Sequence, residues 1–115
     1  LCPLTNETKH LITIKELNHM RKDSFLINIA RGPIVKESDL IKALEGKIIA
    51  GCALDVYEFE PNYDLRLAKM DNVVLTPHAG SASVNARTGM VELAAKNIES
   101  FFLKNKVLSP VNIIN

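Results

Sequence analysis

Short apolar runs alternate along the chain with stretches in which apolar residues recur at helical spacing. The apolar runs cover residues 25–29, 48–54 and 73–75, and their length is typical of strands inside a sheet. Helical spacing precedes the first run, lies between the first and the second, and returns after the third. This alternation predicts an α/β fold with a parallel sheet.

The first two helices have recognisable ends. Thr13 followed by Glu16 forms a capping box, which predicts a short helix over about residues 14–20. A second helix is predicted to begin at Glu37 and to end at Gly46, because the apolar positions between them share one face.

The apolar runs and the loop after them suggest where structure and function lie. Residues 25–29 are almost continuously apolar, which predicts a strand buried on both faces that is broken by Arg31-Gly32-Pro33. The run 48–54 includes small side chains, so we expect something to approach the backbone of this strand closely. Residues 57–71 have no regular period and predict a long loop with one helical turn, a kind of segment that often has a function.

The longest predicted element lies near the carboxyl end of the chain. Apolar residues recur at steps of three and four between Ser83 and Lys104, which predicts a helix of about 20 residues and about 30 Å. Such a helix is too long to cover a single strand. We therefore expect it to reach a neighbouring domain, with residues 105–115 as a tail beyond it.

Composition limits the classes of protein to consider. The chain has 115 residues, of which 47% are apolar and 23% charged, as in one ordinary globular domain. Its net charge of +1 gives no reason to expect a nucleic-acid partner, and no apolar stretch is long enough to cross a membrane. A disulfide between Cys2 and Cys52 is an alternative, but we expect two reduced thiols in a cytoplasmic protein. Neither cysteine has a partner at ligand spacing, so no metal site is predicted.

Charged or titratable residues follow each of the three predicted strands. Arg31 follows the first strand, Asp55 and then Glu60 follow the second, and His78 follows the third. The carboxyl ends of parallel strands meet at one edge of a sheet, and open α/β sheets bind their ligands at this edge. We therefore expect these side chains to converge on one site.

Each of these residues has a functional and a structural interpretation. The Arg31 guanidinium can hold a carboxylate through two parallel hydrogen bonds, or it pairs with an acidic residue of the following helix. The His78 imidazole suits proton transfer near neutral pH, or it is a hydrogen-bonded loop histidine. Glu60 either accepts the imidazole N–H or is a solvated loop carboxylate. Asp55 either receives an amide N–H from a ligand or caps a turn.

Other features contribute less chemistry. His10 and His19 lie in or beside helical surface patterns and have no obvious partners. No Gly-x-Gly-x-x-Gly turn is present, although a dinucleotide-binding sheet normally begins with one to seat the pyrophosphate on a helix amino terminus. The chain is therefore either unrelated to such a domain or only its second half.

Five short motifs occur in order along the chain. They are Pro3-Leu4-Thr5, residues 26–32, residues 51–56, Glu60-Pro61 and residues 71–81, with a final match near Val111-Asn112. Together they resemble the D-isomer-specific 2-hydroxyacid dehydrogenases. The resemblance implies the second half of a Rossmann-type doubly wound parallel sheet with a long carboxy-terminal helix. In that interpretation residues 1–104 belong to the NAD(P)-binding domain, and residues 105–115 return to a substrate domain.

The same resemblance implies a catalytic role for three of the strand-end residues. Arg31 binds the carboxylate and carbonyl oxygen of the substrate. His78 is the general acid that protonates the carbonyl, and Glu60 holds the imidazole. The hydride itself belongs to NAD or NADP, and the protein supplies orientation and charge.

The resemblance also implies contacts with the cofactor. Asp55 corresponds to the residue that hydrogen-bonds the nicotinamide carboxamide, and Arg31 and His78 are also implied to contact the cofactor. The remaining cofactor residues line the nicotinamide ribose or lie against the ring, and they are Cys2, Pro3, Ile29, Ala30, Ala79 and Gly80.

Within the family, residues 55–61 and 78–83 are most similar to glyoxylate/hydroxypyruvate reductases, and phosphoglycerate dehydrogenases come next. The implied substrate is a small 2-oxo or 2-hydroxy acid, and the full-length protein is expected to be a cytoplasmic homodimer. An alternative of another class is an NAD(H)-sensing corepressor, which keeps the same three catalytic residues. The short connections of this chain favour the enzyme.

The chain departs from the family in its extent. It lacks the substrate-binding domain and the Gly-rich first half of the coenzyme domain. We therefore expect it to be a fragment of a longer protein that is inactive by itself, because the pyrophosphate of a dinucleotide has no seat.

Overall fold

The computed structural model describes residues 1–111. The helices and strands are α1 (Ile14–Leu17), β1 (Phe25–Asn28), α2 (Glu37–Glu45), β2 (Gly51–Leu54), β3 (Val73–Leu75) and α3 (Val84–Lys104), with short 3-10 turns at Gly32–Ile34 and Leu67–Lys69. The last four residues of the predicted tail, 112–115, lie outside the described residues. The element order agrees with the one that the apolar pattern predicts.

The three strands form one parallel sheet in the order β1-β2-β3. Their carboxyl ends are in register, because Asn28 lies opposite Leu54 and Leu54 lies opposite Leu75. The α/β fold with a parallel sheet is therefore confirmed. The register also places the residues that follow all three strands at one edge of the sheet.

Helix α1 begins as its capping box predicts. The Thr13 N–H donates to the Glu16 carboxylate at 3.0 Å, and the Thr13 hydroxyl accepts from the N–H of Lys15. The helix ends at Leu17 rather than near residue 20, because the N–H groups of His19 and Met20 bond three residues back and tighten the chain into turns. Met20 nevertheless packs against the core from such a turn.

Helix α2 contributes Leu40, Ile41, Ala43 and Leu44 to the hydrophobic core. It spans the residues that the pattern predicts and ends at Gly46, which has a right-handed φ of −78°. Its buried face packs with residues of α1, β2 and the loop after β2, and the cluster includes Leu17, Leu40, Ile41, Leu44, Cys52, Leu54 and Leu67. One face of the sheet is thereby covered by helices.

The prediction that the first strand is buried on both faces is wrong for the described chain. Phe25 and Ile27 are 65% and 66% exposed, whereas Asn28 is buried and Leu26 packs against the core. Side chains alternate between the faces of a strand, and α1 and α2 pack on only one of them. Val74 of β3 is likewise 62% exposed.

The predicted close approach to the backbone of the second strand is confirmed at Gly51. A Cβ at this position would lie 2.3 Å from the carbonyl oxygen of Asn72 and 3.1 Å from the ring of Phe25. The strand itself begins at Gly51, whereas residues 48–50 form a bend before it. The loop 57–71 contains the single helical turn that the sequence predicts, and Leu67 of that turn is fully buried.

The chain divides into two compact units, the first covering residues 1–80 and the second beginning at Ser81. In the second unit the Ser83 hydroxyl caps α3 by accepting from the N–H of Ala86. The Asn97 side chain accepts hydrogen bonds from the N–H groups of Leu108 and Ser109, which ties the segment after α3 to the helix. The long helix is confirmed, and the predicted domain boundary at residue 104 stays a prediction.

Cys2 and Cys52 are unpaired, as expected. Cys52 is buried, and this burial raises the pKa of its thiol to about 11. Within residues 1–111, no helix combines the length and apolar character that a bilayer span requires. Across the same residues, no cluster of three or more histidine, cysteine or acidic side chains is arranged to hold a metal ion.

Replacing Gly51 with alanine should lower the free energy of unfolding by about 1–3 kcal/mol, because the new methyl group would clash with the Asn72 backbone. The matched control is Gly89→Ala in α3, where a Cβ meets nothing within 4 Å. Alanine is the better helix former, so the control should gain about 0.5–1 kcal/mol. Urea-induced unfolding measures both, and unchanged stability of Gly51→Ala would contradict the close approach.

Candidate active site

The ends of the three strands bring the predicted site residues together within the first unit. Beyond the strands, the N–H of Asp55 donates to the carbonyl oxygen of Asn28 at 3.0 Å. The N–H of Thr76 likewise donates to the carbonyl oxygen of Leu54 at 2.9 Å. The ladder of the sheet therefore extends up to the residues that were predicted to form the site.

Asp55 holds the turn that contains His78. Its carboxylate accepts hydrogen bonds from the Thr76 hydroxyl, from the N–H of Ala79 at 2.8 Å and from the N–H of Gly80 at 2.9 Å. The hydroxyl first and then these N–H groups keep the pKa of Asp55 below its ordinary value. The geometry is that of a turn cap, which was the structural interpretation of Asp55, and its contact with a nicotinamide carboxamide stays a prediction.

His78 projects from this turn in an unusual backbone conformation. Its φ is +52°, in the left-handed region, and its N–H donates to the Thr76 carbonyl oxygen at 3.0 Å. The imidazole Nδ1 lies 2.9 Å from Oε2 of Glu60, and the side chain is 49% exposed. No residue in the range 1–111 forms a hydrogen bond with Nε2. The ring is thus held at one nitrogen and accessible at the other.

Glu60 has two partners that stabilise its ionised form. Oε2 faces the His78 ring, and Oε1 accepts a hydrogen bond from the N–H of Tyr57 at 2.9 Å. The His78 hydrogen bond, followed by that of Tyr57, lowers the pKa of Glu60, and the nearby Arg31 guanidinium acts in the same direction. The carboxylate remains ionised beside the imidazole and can stabilise its protonated form.

Arg31 stands at the end of β1, and Asn28 positions its backbone. The Asn28 side chain donates to the Arg31 carbonyl oxygen and accepts from the N–H of Ala30, both at 3.1 Å. The guanidinium donates to the Ala30 carbonyl oxygen at 2.6 Å, and the side chain is exposed. It pairs with neither Glu37 nor Asp39, which have other partners. An accessible guanidinium at this edge can hold an anion.

Two grooves flank these residues. One is lined by the amino-terminal segment and the end of β1, and it includes five of the predicted cofactor residues, Cys2, Pro3, Ile29, Ala30 and Arg31. The other is lined by Tyr57, Glu60, Pro61, Pro77 and His78. Apolar walls beside a guanidinium and an imidazole suit a planar ring that adjoins a small anion.

Three positioning residues were not found by sequence reasoning. Asn28 holds the Arg31 turn, Thr76 donates to Asp55, and the buried Tyr57 donates its hydroxyl to the Thr76 carbonyl oxygen at 2.8 Å. Asn28 gave a usable signal, since it is a polar residue inside an apolar run. Thr76 and Tyr57 gave none, because their partners are distant in sequence.

The expectation that His10 and His19 have no partners is wrong. Nε2 of His10 lies 2.6 Å from the Glu58 carboxylate, 48 positions further along the chain. Nδ1 of His19 lies 2.7 Å from the Lys15 carbonyl oxygen, one helical turn earlier. The first pair joins two loops, which no local pattern could indicate.

Known proteins share both the sequence and the fold of this chain. It is 58% identical over 99 residues to the glyoxylate reductase of Pyrococcus horikoshii, an alignment that covers 86% of this chain and 30% of that protein. It is 43% identical over 110 residues to glyoxylate/hydroxypyruvate reductase A of Arabidopsis thaliana, covering 96% of this chain and 35% of that protein. The chain therefore spans about a third of the length of these relatives.

Solved structures of related enzymes contain the same fold. The NADPH-dependent glyoxylate/hydroxypyruvate reductase of Sinorhizobium meliloti, in complex with NADP and malonate, superposes with a TM-score of 0.93 at 38% identity. The match covers 96% of this chain and 35% of that one. The D-mandelate dehydrogenase of Rhodotorula graminis also gives a TM-score of 0.93, at 33% identity, over 99% of this chain and 33% of that one.

The family described as D-isomer specific 2-hydroxyacid dehydrogenase, NAD binding domain, matches residues 1–80. This range includes β1, α2, β2, β3 and every predicted site residue. The fold is that of the Rossmann-type NAD-binding domain in these structures, with the long helix α3 at its carboxyl side. The chain belongs to the D-isomer specific 2-hydroxyacid dehydrogenase family and contains part of its NAD-binding domain.

Proposed function

We propose that the full-length protein transfers a hydride between NAD(P)H and a small 2-oxo acid of the glyoxylate or hydroxypyruvate type. The observation that supports this most strongly is the hydrogen bond between Nδ1 of His78 and Glu60. An imidazole held at Nδ1 by a carboxylate is oriented for proton transfer at Nε2. In the reductive direction His78 donates a proton from Nε2 to the carbonyl oxygen, and Glu60 stabilises the protonated ring.

Arg31 binds the substrate in this proposal. Its guanidinium is accessible at the end of β1 and can hold the carboxylate of a 2-oxo acid through two parallel hydrogen bonds. Arg31 follows β1 at the same edge of the sheet as the carboxylate–imidazole pair, and its charge lowers the pKa of Glu60, which supports this role. In this proposal a substrate held by Arg31 presents its carbonyl group to the proton donor, His78.

The residues of the chain fit the nicotinamide end of a dinucleotide. Residues 1–4 and 29–31, Arg31 among them, line a groove with both polar and apolar walls, and the Asp55-bound turn presents the small residues Ala79 and Gly80. When bound, the nicotinamide supplies or accepts the hydride. The seat for the pyrophosphate would come from the Gly-rich turn of a full-length protein, because this sequence has none.

The choice of substrate class rests on the relatives. The proteins named as glyoxylate reductases are 58% and 50% identical to this chain in Pyrococcus horikoshii and Thermococcus litoralis. In this proposal the full-length protein is also a cytoplasmic homodimer. The unpaired thiols of Cys2 and Cys52 support a reducing compartment, and the homodimer follows from the family resemblance.

Replacing His78 with asparagine should lower kcat of the full-length protein with glyoxylate or hydroxypyruvate by about a hundredfold to ten-thousandfold, because the proton donor is lost. Asparagine is chosen because it tolerates the positive φ of this position better than alanine does. The matched control is His19→Asn in the exposed turn after α1, which should keep full turnover. Undiminished turnover by His78→Asn would refute the assigned proton donor, and absence of turnover by the unmodified protein would refute the enzymatic function.

Replacing Arg31 with lysine should reduce kcat/KM about tenfold to a hundredfold, chiefly through a higher KM for the 2-oxo acid. Lysine keeps the positive charge and loses the two-pronged donor that holds a carboxylate, at a cost typical of charge-assisted hydrogen bonds. Steady-state kinetics measure the effect, and Arg87→Lys in α3 is the control that should change nothing. An unchanged KM would show that Arg31 does not bind the substrate.

Replacing Thr76 with valine should raise the pKa of Asp55 toward its ordinary value, because the hydroxyl is the largest cause of its depression. A depressed carboxylate pKa stabilises the fold above the ordinary pKa, and this contribution is lost as the pH falls through the folded-state value. Thr76→Val should therefore be less stable than the unmodified chain at neutral pH, and the difference should shrink in acid. Carboxyl NMR and pH-dependent unfolding measure both effects, with the exposed Thr88→Val as the control. The prediction is contradicted when Asp55 has the same pKa in Thr76→Val as in the unmodified chain.

A further inference from the structure

Two buried acidic residues begin α2, and they bind different parts of the chain. Glu37 and Asp39 are 6% and 4% exposed and lie in the first turn of the helix. Asp39 accepts a hydrogen bond from the N–H of Ile14 and pairs with Lys36 and Lys42, so it ties α2 to α1. Glu37 faces the loop after β2 instead.

The Glu37 carboxylate holds that loop at two points. One oxygen accepts a hydrogen bond from the N–H of Asp64 at 2.9 Å, and the other accepts from the N–H of Glu58 at 3.3 Å. Glu60 lies between these two points in the chain. The Glu60 carboxylate faces His78. Glu37 holds the loop before Glu60, at Glu58, and after it, at Asp64.

Glu58 returns the contact. Its carboxylate accepts a hydrogen bond from the N–H of Glu37 at 2.8 Å, which satisfies a free donor at the start of the helix. The other oxygen of Glu58 contacts Nε2 of His10 at 2.6 Å, and the Glu58 side chain is 10% exposed. Two acidic side chains thus exchange hydrogen bonds with each other's backbone, and His10 adds a third element to the joint.

Close backbone packing connects the same joint to Arg31. A Cβ on Gly32 would lie 1.8 Å from the carbonyl oxygen of Tyr57 and 2.6 Å from the nitrogen of Glu58. The chain immediately after Arg31 therefore rests directly on the chain that leads to Glu60. The N–H of Tyr57 in turn donates to the Glu60 carboxylate at 2.9 Å.

We propose that Glu37 is a positioning residue for the proton-transfer pair: by holding residues 58 and 64, its carboxylate sets where Glu60 meets His78. The Glu58–His10 contact supports the same joint from the other side. Neither Glu37 nor Glu58 touches His78, so both act through the placement of Glu60. This role rests on the proposed function, since it explains how the catalytic carboxylate is held.

The test compares two isosteric substitutions in the first turn of α2. Glu37→Gln places an amide NH₂ group against backbone N–H donors, so at least one of the two anchoring hydrogen bonds is lost. Asp39→Asn weakens the link between α2 and α1 and leaves the loop untouched. Carboxyl and imidazole NMR on the chain measure the pKa of Glu60 and the hydrogen bond at Nδ1 of His78 in each variant.

In Glu37→Gln the pKa of Glu60 should rise toward its ordinary value, and the Nδ1 hydrogen-bond signature of His78 should weaken. In Asp39→Asn both should stay as they are in the unmodified chain, even though the fold is destabilised. An unchanged pKa of Glu60 in Glu37→Gln, or equal changes of this pKa in the two variants, would overturn the proposal. The NMR measurement needs no turnover, so it tests the role of Glu37 separately from the proposed function. Turnover by the unmodified full-length protein and by His78→Asn tests the proposed function.

Turnover of the full-length protein gives the second measurement. Glu37→Gln should reduce kcat about tenfold to a hundredfold with little change in KM, as expected for misplacement of a catalytic group. Asp39→Asn should keep kcat. Should Glu37→Gln fail to give a folded circular dichroism spectrum, Glu58→Gln replaces it, because it breaks the same joint from the partner side. Full kcat in the folded variant would overturn the proposal.

Discussion

The hydrogen bonds that Asp55 accepts from residues 76–80 determine where the site can form. His78 occupies a left-handed conformation, which costs a residue with a Cβ about 1–3 kcal/mol when nothing compensates. The Asp55 carboxylate compensates by accepting from the residues on both sides of His78. Because Asp55 directly follows β2 and its N–H bonds to Asn28 of β1, the sheet fixes the position of the imidazole. The register of the strands therefore also determines where the His78 ring lies.

Much of the fold follows from the sequence because its signals are local. The capping box of Thr13 and Glu16, the apolar face of α2 and the spacing along α3 each specify an element within a few residues. The prediction that residues 25–29 are buried on both faces was wrong for a different reason. An apolar run shows that side chains such as Phe25 can be buried, but burial also needs a second layer, and the described helices of the first unit supply only one.

The candidate site was predictable to the extent that it lies at strand ends. Arg31, Asp55 and the turn around His78 follow from the rule that parallel strands present their carboxyl ends at one edge. Glu60 lies further along, in a loop without periodicity, so its position after the second strand made it a candidate but only the family resemblance favoured its functional interpretation. The supporting contacts could not be predicted, because Thr76 meets Asp55 across 21 positions and His10 meets Glu58 across 48. Such partners are distant in sequence and meet only in the folded chain, so no local pattern indicates them.

Two histidine–glutamate pairs in one small unit show how similar contacts serve different purposes. His10 offers Nε2, the far nitrogen of its ring, to a Glu58 carboxylate that also accepts from the backbone of Glu37. The contact at Nε2 of His10 links two loops. His78 offers Nδ1, the nitrogen nearer to its backbone, to Glu60, and its outer nitrogen points away from that contact. Glu60 is also the more exposed of the two carboxylates, at 36% against 10%. The carboxylate at Nδ1 of His78 therefore fixes the ring and leaves its outer nitrogen, the proton donor of the proposed reaction, without a partner among residues 1–111.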